Sequence, residues 1–133
     1  RRILDFGDLE HRMLDLLLGK SRSARTLAAT EIGNRYREIM VDEYQDSNGV
    51  QDAIFMALTE EKQNCFMVGD VKQSIYRFRL AEPGLFLSKL NRFSADEDAE
   101  YRKIILNRNF RSKSAVLDAG NRIFEHVMDS RAG

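Results

Sequence analysis

The sequence predicts an α/β protein in which a parallel sheet is flanked by helices. Short apolar runs have the length and composition of buried strands, and they occupy residues 38–42, 65–70 and 102–106. Apolar residues recur at helical spacing between and around these runs, near residues 7–18, 23–36, 50–58, 83–93 and 113–129. Strands that alternate with helices in this order favour parallel pairing.

Local signals place the ends of two helices. Asp5 or Gly7 is predicted to cap the first helix, and Gly19 is predicted to end it. Ser47 or Asn48 is expected near the start of the helix that follows the first strand. The first N–H groups and the last C=O groups of a helix have no partner within it, and residues of these types are common where a helix begins or ends.

Composition limits the classes of function. The 133 residues suit one domain, and 43% hydrophobic content is enough for a packed core. Because 21 basic residues balance 21 acidic ones, a simple basic DNA-binding module is disfavoured, and any nucleic-acid contact must come from a local patch. Cys65 is the single cysteine, which excludes an internal disulfide and fits a reducing cytoplasm. No membrane partner is expected, and the start at Arg1 without Met predicts a segment of a longer protein.

Two carboxylates follow the first predicted strand. In open parallel sheets ligands bind at the carboxyl ends of strands, and this strand ends in Asp42 and Glu43. The first carboxylate can hold magnesium, and the second can position and deprotonate an attacking water. A strand end that carries acids by chance is the alternative, although the full string Val-Asp-Glu-Tyr-Gln-Asp at 41–46 is more specific.

A second polar segment follows the next strand at residues 68–81. It combines a Gly-Asp turn, Gln73, the aromatic residues Tyr76 and Phe78, and a flanking Arg79. Aromatic rings stack on bases and guanidinium groups meet phosphates, so this pattern suits single-stranded nucleic acid. The alternative is that both rings are core side chains of a short helix.

The third segment, residues 106–112, joins the last predicted strand to the long final helix. Arg111 at this junction could reach a phosphate and stabilise transition-state charge. A solvated arginine beside a helix cap is the alternative.

Taken in order, the three segments resemble consecutive motor motifs of UvrD-type superfamily 1 helicases. Residues 4–9 also resemble the Asp-Phe-x-Asp-Leu segment that precedes these motifs, and residues 70–83 resemble the version found in AddAB-type helicase–nucleases. The resemblance implies a partial RecA-like parallel sheet, with residues 1–133 forming a fragment of the first motor domain of a P-loop NTPase. ATP and Mg²⁺ are the implied cofactors.

The resemblance also implies roles in ATP hydrolysis. Asp42 would bind magnesium and Glu43 would be the catalytic base. Gln73 would sense the γ-phosphate, Phe110 would pack near the adenine, and Arg111 would contact the γ-phosphate. Phe110 stands where many relatives carry Tyr, and the substitution keeps a stacking face.

On the DNA side, the resemblance places Tyr76, Phe78 and Arg79 against single-stranded DNA. Phe78 stands where many relatives carry Trp. The implied whole protein is an ATP-dependent cytoplasmic helicase–nuclease that acts from duplex ends in double-strand break repair and recombination. It would work with an AddB-type partner.

A phosphate-binding loop is missing from the sequence. Gly19-Lys20-Ser21 does not form one, because Leu14 stands where the first glycine belongs and the triplet follows a predicted helix. The chain would therefore provide one wall of an ATP site, and alone it is expected to be inactive. Two alternatives are a non-enzymatic single-stranded DNA-binding module and a degenerate motor fold used as a scaffold. A scaffold has no physical need of the set Asp42, Glu43, Gln73 and Arg111.

Overall fold

The computed structural model describes residues 3–59, 63–75 and 81–128, and within them it confirms the predicted mixture of helices and parallel strands. The chain divides into two compact units, Arg1–Arg102 and Lys103–Gly133. The elements of the first unit are α1 (Phe6–Leu18), α2 (Leu27–Asn34), β1 (Ile39–Val41), α3 (Gly49–Thr59), β2 (Cys65–Met67) and α4 (Pro83–Arg92). The second unit contains α5 (Ser114–Val127).

Both predicted ends of α1 are confirmed. Asp5 is the N-cap, and its Oδ1 accepts a hydrogen bond from the Asp8 backbone N–H at 2.7 Å, while Asp8 Oδ2 accepts from the Asp5 N–H at 3.2 Å. Gly19 ends the helix with φ 69°. Lys20 and Ser21 continue the turn after the helix, so the Gly-Lys-Ser triplet does not lie between a strand and a helix as a phosphate loop does.

Helices α1, α2 and α3 pack around one small core. Leu17, Ala29 and Ala57 are fully or almost fully buried at its centre. Thr26 joins the first two helices, because its N–H donates to the Leu17 carbonyl at 2.9 Å and its Oγ1 donates to the Leu16 carbonyl at 2.6 Å. Thr26 also caps α2, so this helix is shorter than the predicted 23–36.

Strands β1 and β2 form a two-stranded parallel sheet. Ile39 pairs with Cys65 and Val41 pairs with Met67. The pairing continues beyond both strands, since the Val68 N–H donates to the Val41 carbonyl at 2.9 Å. Helix α3 connects the two strands and packs on β2, which completes a β–α–β unit.

The prediction of a strand at residues 102–106 is wrong. Arg102 forms only an isolated bridge with Ser94, and residues 103–110 are neither helix nor strand. Ile104, Ile105 and Leu106 are largely exposed. An apolar run becomes a strand only when a neighbouring strand accepts its hydrogen bonds, and the described part of the second unit contains no strand to do so.

In the second unit, Asn109 shapes the approach to α5. Its Oδ1 accepts hydrogen bonds from the N–H groups of Arg111 at 3.0 Å and Ser112 at 2.9 Å. Several large apolar side chains of α5 are exposed: Val116, Ile123, Phe124 and Val127. Neither α5 nor any other helix in the described ranges is long and apolar enough to cross a bilayer.

The core predicts a sharp difference between two neighbouring leucines on α1. Leu17 is 0% exposed and Leu16 is 50% exposed. Leu17→Ala is expected to lower the free energy of unfolding by about 2–5 kcal/mol, because it leaves a cavity between three helices. Leu16→Ala, the matched control, should change it by less than about 1 kcal/mol. Urea denaturation followed by circular dichroism measures both, and equal losses would contradict this description of the core.

Candidate functional site

Polar residues gather where β1 and β2 end. The strands run parallel, so their carboxyl ends meet at the same edge of the sheet. The Tyr44 N–H donates to the Val68 carbonyl at 2.9 Å and holds the segment after β1 against the segment after β2. We call the polar group at this edge the strand-end cluster, and its members are Asp42, Glu43, Gln45, Asp70 and Gln73.

Glu43 has an unusual backbone conformation. Its φ of 50° and ψ of 40° lie in the left-handed region, which costs a non-glycine residue about 1–3 kcal/mol. Asp42 Oδ1 accepts a hydrogen bond from the Glu43 N–H at 2.9 Å and supports this conformation. Both carboxylate side chains are exposed at the end of β1. Backbone strain of this kind is concentrated at functional sites, where the surrounding structure holds it in place.

Gln45 comes two residues after Glu43 and is only 1% exposed. Its Nε2 donates to Glu43 Oε2 at 2.6 Å, and its Oε1 accepts from the Asp70 N–H at 3.0 Å. The two partners fix the orientation of the amide, because an ionised carboxylate only accepts hydrogen bonds and a backbone N–H only donates them. Gln45 therefore bridges the segments that follow the two strands.

The series of hydrogen bonds continues through Asp70 to Gln73. Asp70 Oδ1 accepts from the Lys72 N–H at 3.0 Å and caps the short 3₁₀ turn Val71–Gln73. Asp70 Oδ2 accepts from Gln73 Nε2 at 3.2 Å. Gln73 is exposed, and its amide nitrogen carries a second N–H that can donate to a ligand.

Gly69 lies so close to Gln45 that any side chain on it would have to displace the Gln45 amide. A Cβ at this position would overlap Gln45 Oε1 and would lie 3.2 Å from the Gln45 backbone nitrogen. The same atom would lie 3.3 Å from the Tyr44 nitrogen. Glycine is therefore needed here for close approach of two backbone segments.

Tyr44 anchors the opposite side of the turn. It is 1% exposed, and its hydroxyl donates to Asp52 Oδ1 on α3, which also pairs with Lys89 Nζ of α4 at 3.1 Å. Its ring packs edge-on against Phe86, with 5.8 Å between ring centroids. Burial, followed by the hydrogen bond to Asp52, raises the pKa of Tyr44 well above its ordinary value. The phenol therefore stays protonated across the physiological range.

Three of the predicted site residues lie in this one cluster. Asp42 and Glu43 directly follow β1, and Gln73 is joined to Glu43 through Gln45 and Asp70. Phe110 and Arg111 belong to the second unit, where both side chains are exposed.

The predicted DNA-contacting residues, Tyr76, Phe78 and Arg79, lie outside the described residues. Their single-stranded DNA role stays a prediction from the sequence. Tyr44 and Gln45 belong to the motif at residues 41–46 that identified the site, but no role was predicted for either of them from the sequence. The change from two acids to an aromatic residue and an amide was a signal that this turn has a buried side.

The exposed carboxylates fit magnesium better than a metal that needs a complete protein cage. Within the described ranges no three His, Cys, Asp or Glu side chains group as a metal site. Mg²⁺ is commonly held by one or two carboxylates together with water and substrate phosphates. Asp42 Oδ2 has no hydrogen-bond partner in the described part of the chain, so it is available for such a contact.

Comparison with known proteins identifies the family. A family model described as the UvrD/REP helicase N-terminal domain matches residues 1–94, which include β1, β2 and the whole strand-end cluster. The chain belongs to the UvrD/REP helicase family. This confirms the resemblance that the motifs at residues 41–46 and 69–76 predicted.

Several curated proteins match the whole chain. Each of the following is named as the A-type component of an ATP-dependent helicase/nuclease. Identity is 48% over 139 positions with the protein of Ruminiclostridium cellulolyticum, 49% over 138 with that of Bacillus licheniformis, and 46% over 136 with that of Staphylococcus aureus. Every alignment covers 100% of this chain and 11% of the relative. The predicted similarity to the AddAB-type branch is therefore also confirmed.

The buried phenol predicts how stability depends on pH. An unfolded tyrosine ionises near pH 10, whereas the raised pKa of Tyr44 keeps the folded phenol protonated there, so the free energy of unfolding should fall as the pH rises through about 10. Tyr44→Phe should make this fall shallower. Urea unfolding at several pH values between about 8 and 10.5 measures the slope. Identical slopes for the wild-type protein and Tyr44→Phe would contradict the assignment.

Proposed function

We propose that this segment forms the magnesium- and base-carrying wall of the ATP site in a DNA-dependent motor. One observation supports this above all others: the Asp42–Glu43 pair and Gln73 share one edge of a parallel sheet and are connected by side-chain hydrogen bonds. Ligands bind at this edge in open parallel sheets. Family membership makes nucleotide hydrolysis the chemistry that such a group would serve.

Each member of the wall has a distinct task in the proposal. Asp42 would hold Mg²⁺, which when bound supplies positive charge to the phosphates. Glu43 accepts a proton from the attacking water, because its carboxylate is exposed and one oxygen is already fixed by Gln45. The free N–H of Gln73 donates to a γ-phosphate oxygen. The resemblance in sequence alone supports two further roles, a contact of the Arg111 guanidinium group with the γ-phosphate and a stacking face on Phe110 for the adenine.

We further propose that the segment works inside a longer protein. It spans 11% of the length of the curated relatives it matches, which are named as ATP-dependent helicase/nucleases. A phosphate-binding loop would come from elsewhere in that protein, because positioning of the phosphates accounts for most of the catalysis in this reaction class. Helicase and nuclease activity are proposed for the longer protein. Its AddB-type partner, its cytoplasmic location and the inactivity of the isolated chain stay predictions.

Replacement of the proposed base tests the ATP site. In the longer protein, Glu43→Gln should abolish DNA-stimulated ATP hydrolysis and leave nucleotide binding largely intact. The substitution keeps the size of the side chain and removes its ability to accept a proton. Phosphate release measures hydrolysis, and a fluorescent ATP analogue measures binding.

Glu38→Gln is the matched control, since Glu38 is an exposed glutamate just before β1. It should retain wild-type hydrolysis. If Glu43→Gln lowered hydrolysis less than about tenfold, Glu43 would not be the base.

The segment after the cluster is proposed to contact single-stranded DNA, on the strength of its sequence alone. Tyr76 and Phe78 offer stacking faces that do not depend on base identity, and Arg79 offers charge to the phosphates. Tyr76→Ala and Phe78→Ala should each weaken single-strand binding by about 1–3 kcal/mol. Unwinding should fall more than DNA-free ATP hydrolysis, because the phosphate site is untouched.

Three measurements on the same variants separate stacking from core packing: melting temperature, single-strand affinity and basal ATP hydrolysis. Tyr101→Ala, an aromatic substitution outside the segment, should leave DNA affinity unchanged. If the rings were core side chains, melting temperature would fall steeply, and affinity and basal hydrolysis would fall together.

A further inference from the structure

The side chain of Gln45 hydrogen-bonds to Glu43 in the segment after β1 and to Asp70 in the segment after β2. We propose that it is a positioning residue for ATP hydrolysis, which fixes the Glu43 carboxylate and aligns it with the turn Val71–Gln73. This inference rests on the proposed function, because it needs Glu43 to act on water at the ATP site.

The burial of Gln45 makes both of its hydrogen bonds hard to lose. At 1% exposure its amide cannot exchange protein partners for water. Rotation of the amide by half a turn would place its NH₂ group against the Asp70 N–H and its oxygen against the Glu43 carboxylate, so both contacts would become repulsive. Only one orientation satisfies both neighbours, and this makes Gln45 a rigid spacer between them.

The hydrogen bond from Gln45 to Glu43 determines which carboxylate oxygen of Glu43 is left for a water molecule. A free, exposed glutamate samples several rotamers, whereas the 2.6 Å bond from Gln45 Nε2 fixes Oε2. Oε1 has no hydrogen-bond partner in the described residues, so it is the oxygen available to a water molecule. Holding a base in one geometry raises the rate of proton transfer without adding affinity for the substrate.

The contact with Asp70 connects that geometry to the turn that carries Gln73. Asp70 offers its backbone N–H to Gln45 and its carboxylate to Gln73. A shift of this turn, such as one caused by a ligand on Gln73, would therefore move the oxygen end of the Gln45 amide. Since the amide is rigid and enclosed, its other end would move the Glu43 carboxylate.

Gly69 provides a second way to disturb the same contact without changing Gln45. A methyl group there would overlap Gln45 Oε1, and the substitution removes no polar group. Gly69→Ala should therefore displace the amide and mimic its loss. Gln45→Met removes both hydrogen bonds and keeps a similar volume.

The test uses the longer protein and compares kcat and KM for ATP in DNA-stimulated hydrolysis. Gln45→Met and Gly69→Ala should each lower kcat by about 10-fold or more and change KM for ATP by less than about threefold, because base positioning acts on the chemical step. The double variant should lose little beyond the more damaging single variant, since both act on one contact. Thr59→Val is the matched control: Thr59 is another buried polar residue of the first unit, and its loss should leave kcat unchanged.

The outcomes separate this inference from the proposed function. If Glu43→Gln abolishes hydrolysis while Gln45→Met and Gly69→Ala keep wild-type kcat, the positioning role is overturned and the ATP site stands. If Glu43→Gln keeps its activity, the proposed function itself fails. If Gln45→Met does not fold, Gly69→Ala carries the test. If Gln45→Met lowered the melting temperature as much as Thr59→Val does and caused no selective loss of kcat, Gln45 would have only a structural role.

Discussion

The parallel pairing of β1 with β2 is the constraint on which the site depends. Strands that run in the same direction end at the same edge, so the pairing brings together segments that are far apart in the sequence. The Val41–Val68 and Tyr44–Val68 hydrogen bonds extend this pairing into the loops. Without that extension, the carboxylates after β1 and the turn after β2 would have no fixed relation to each other.

In the turn after β1, one buried residue contacts the neighbouring helices and the next contacts the strand-end cluster. Tyr44 points its hydroxyl to Asp52, which is also paired with Lys89, and this attaches the turn to α3 and α4. Its neighbour Gln45 makes its contacts within the strand-end cluster. Buried polar groups rigidify a structure when all of their partners are present, and here two adjacent buried residues support an exposed acidic pair.

Features with local causes could be predicted from the sequence. The start of α1 depends on Asp5 and Asp8, which are three residues apart, and the end of β1 is marked by the change from apolar residues to acids. The resemblance to a motor family placed Asp42, Glu43 and Gln73 in one site, and the structure joins them by hydrogen bonds. Their chemical roles rest on that resemblance and on the proposed experiments.

Features that depend on distant partners could not be predicted. Gln45 meets the Asp70 N–H across 25 positions of sequence, and no periodic pattern indicates such a contact. The run at 102–106 has strand composition, but composition does not supply a neighbouring strand, and the segment is irregular. Strand pairing depends on residues that are distant in the sequence, whereas a helix cap depends on near neighbours. The predicted caps of α1 were therefore correct, and the predicted strand at 102–106 was not.

The contact between Gly69 and Gln45 has a consequence for how related sequences can diverge. Any residue other than glycine at position 69 brings a Cβ that overlaps the amide oxygen at position 45. A shorter side chain at 45 would remove that overlap and leave only the backbone nitrogens of Tyr44 and Gln45, at 3.3 and 3.2 Å, which a small shift can relieve. A residue other than glycine at position 69 is therefore accommodated with less disturbance where position 45 carries a shorter side chain. Among homologues of this chain, the residues at the two positions should therefore be correlated.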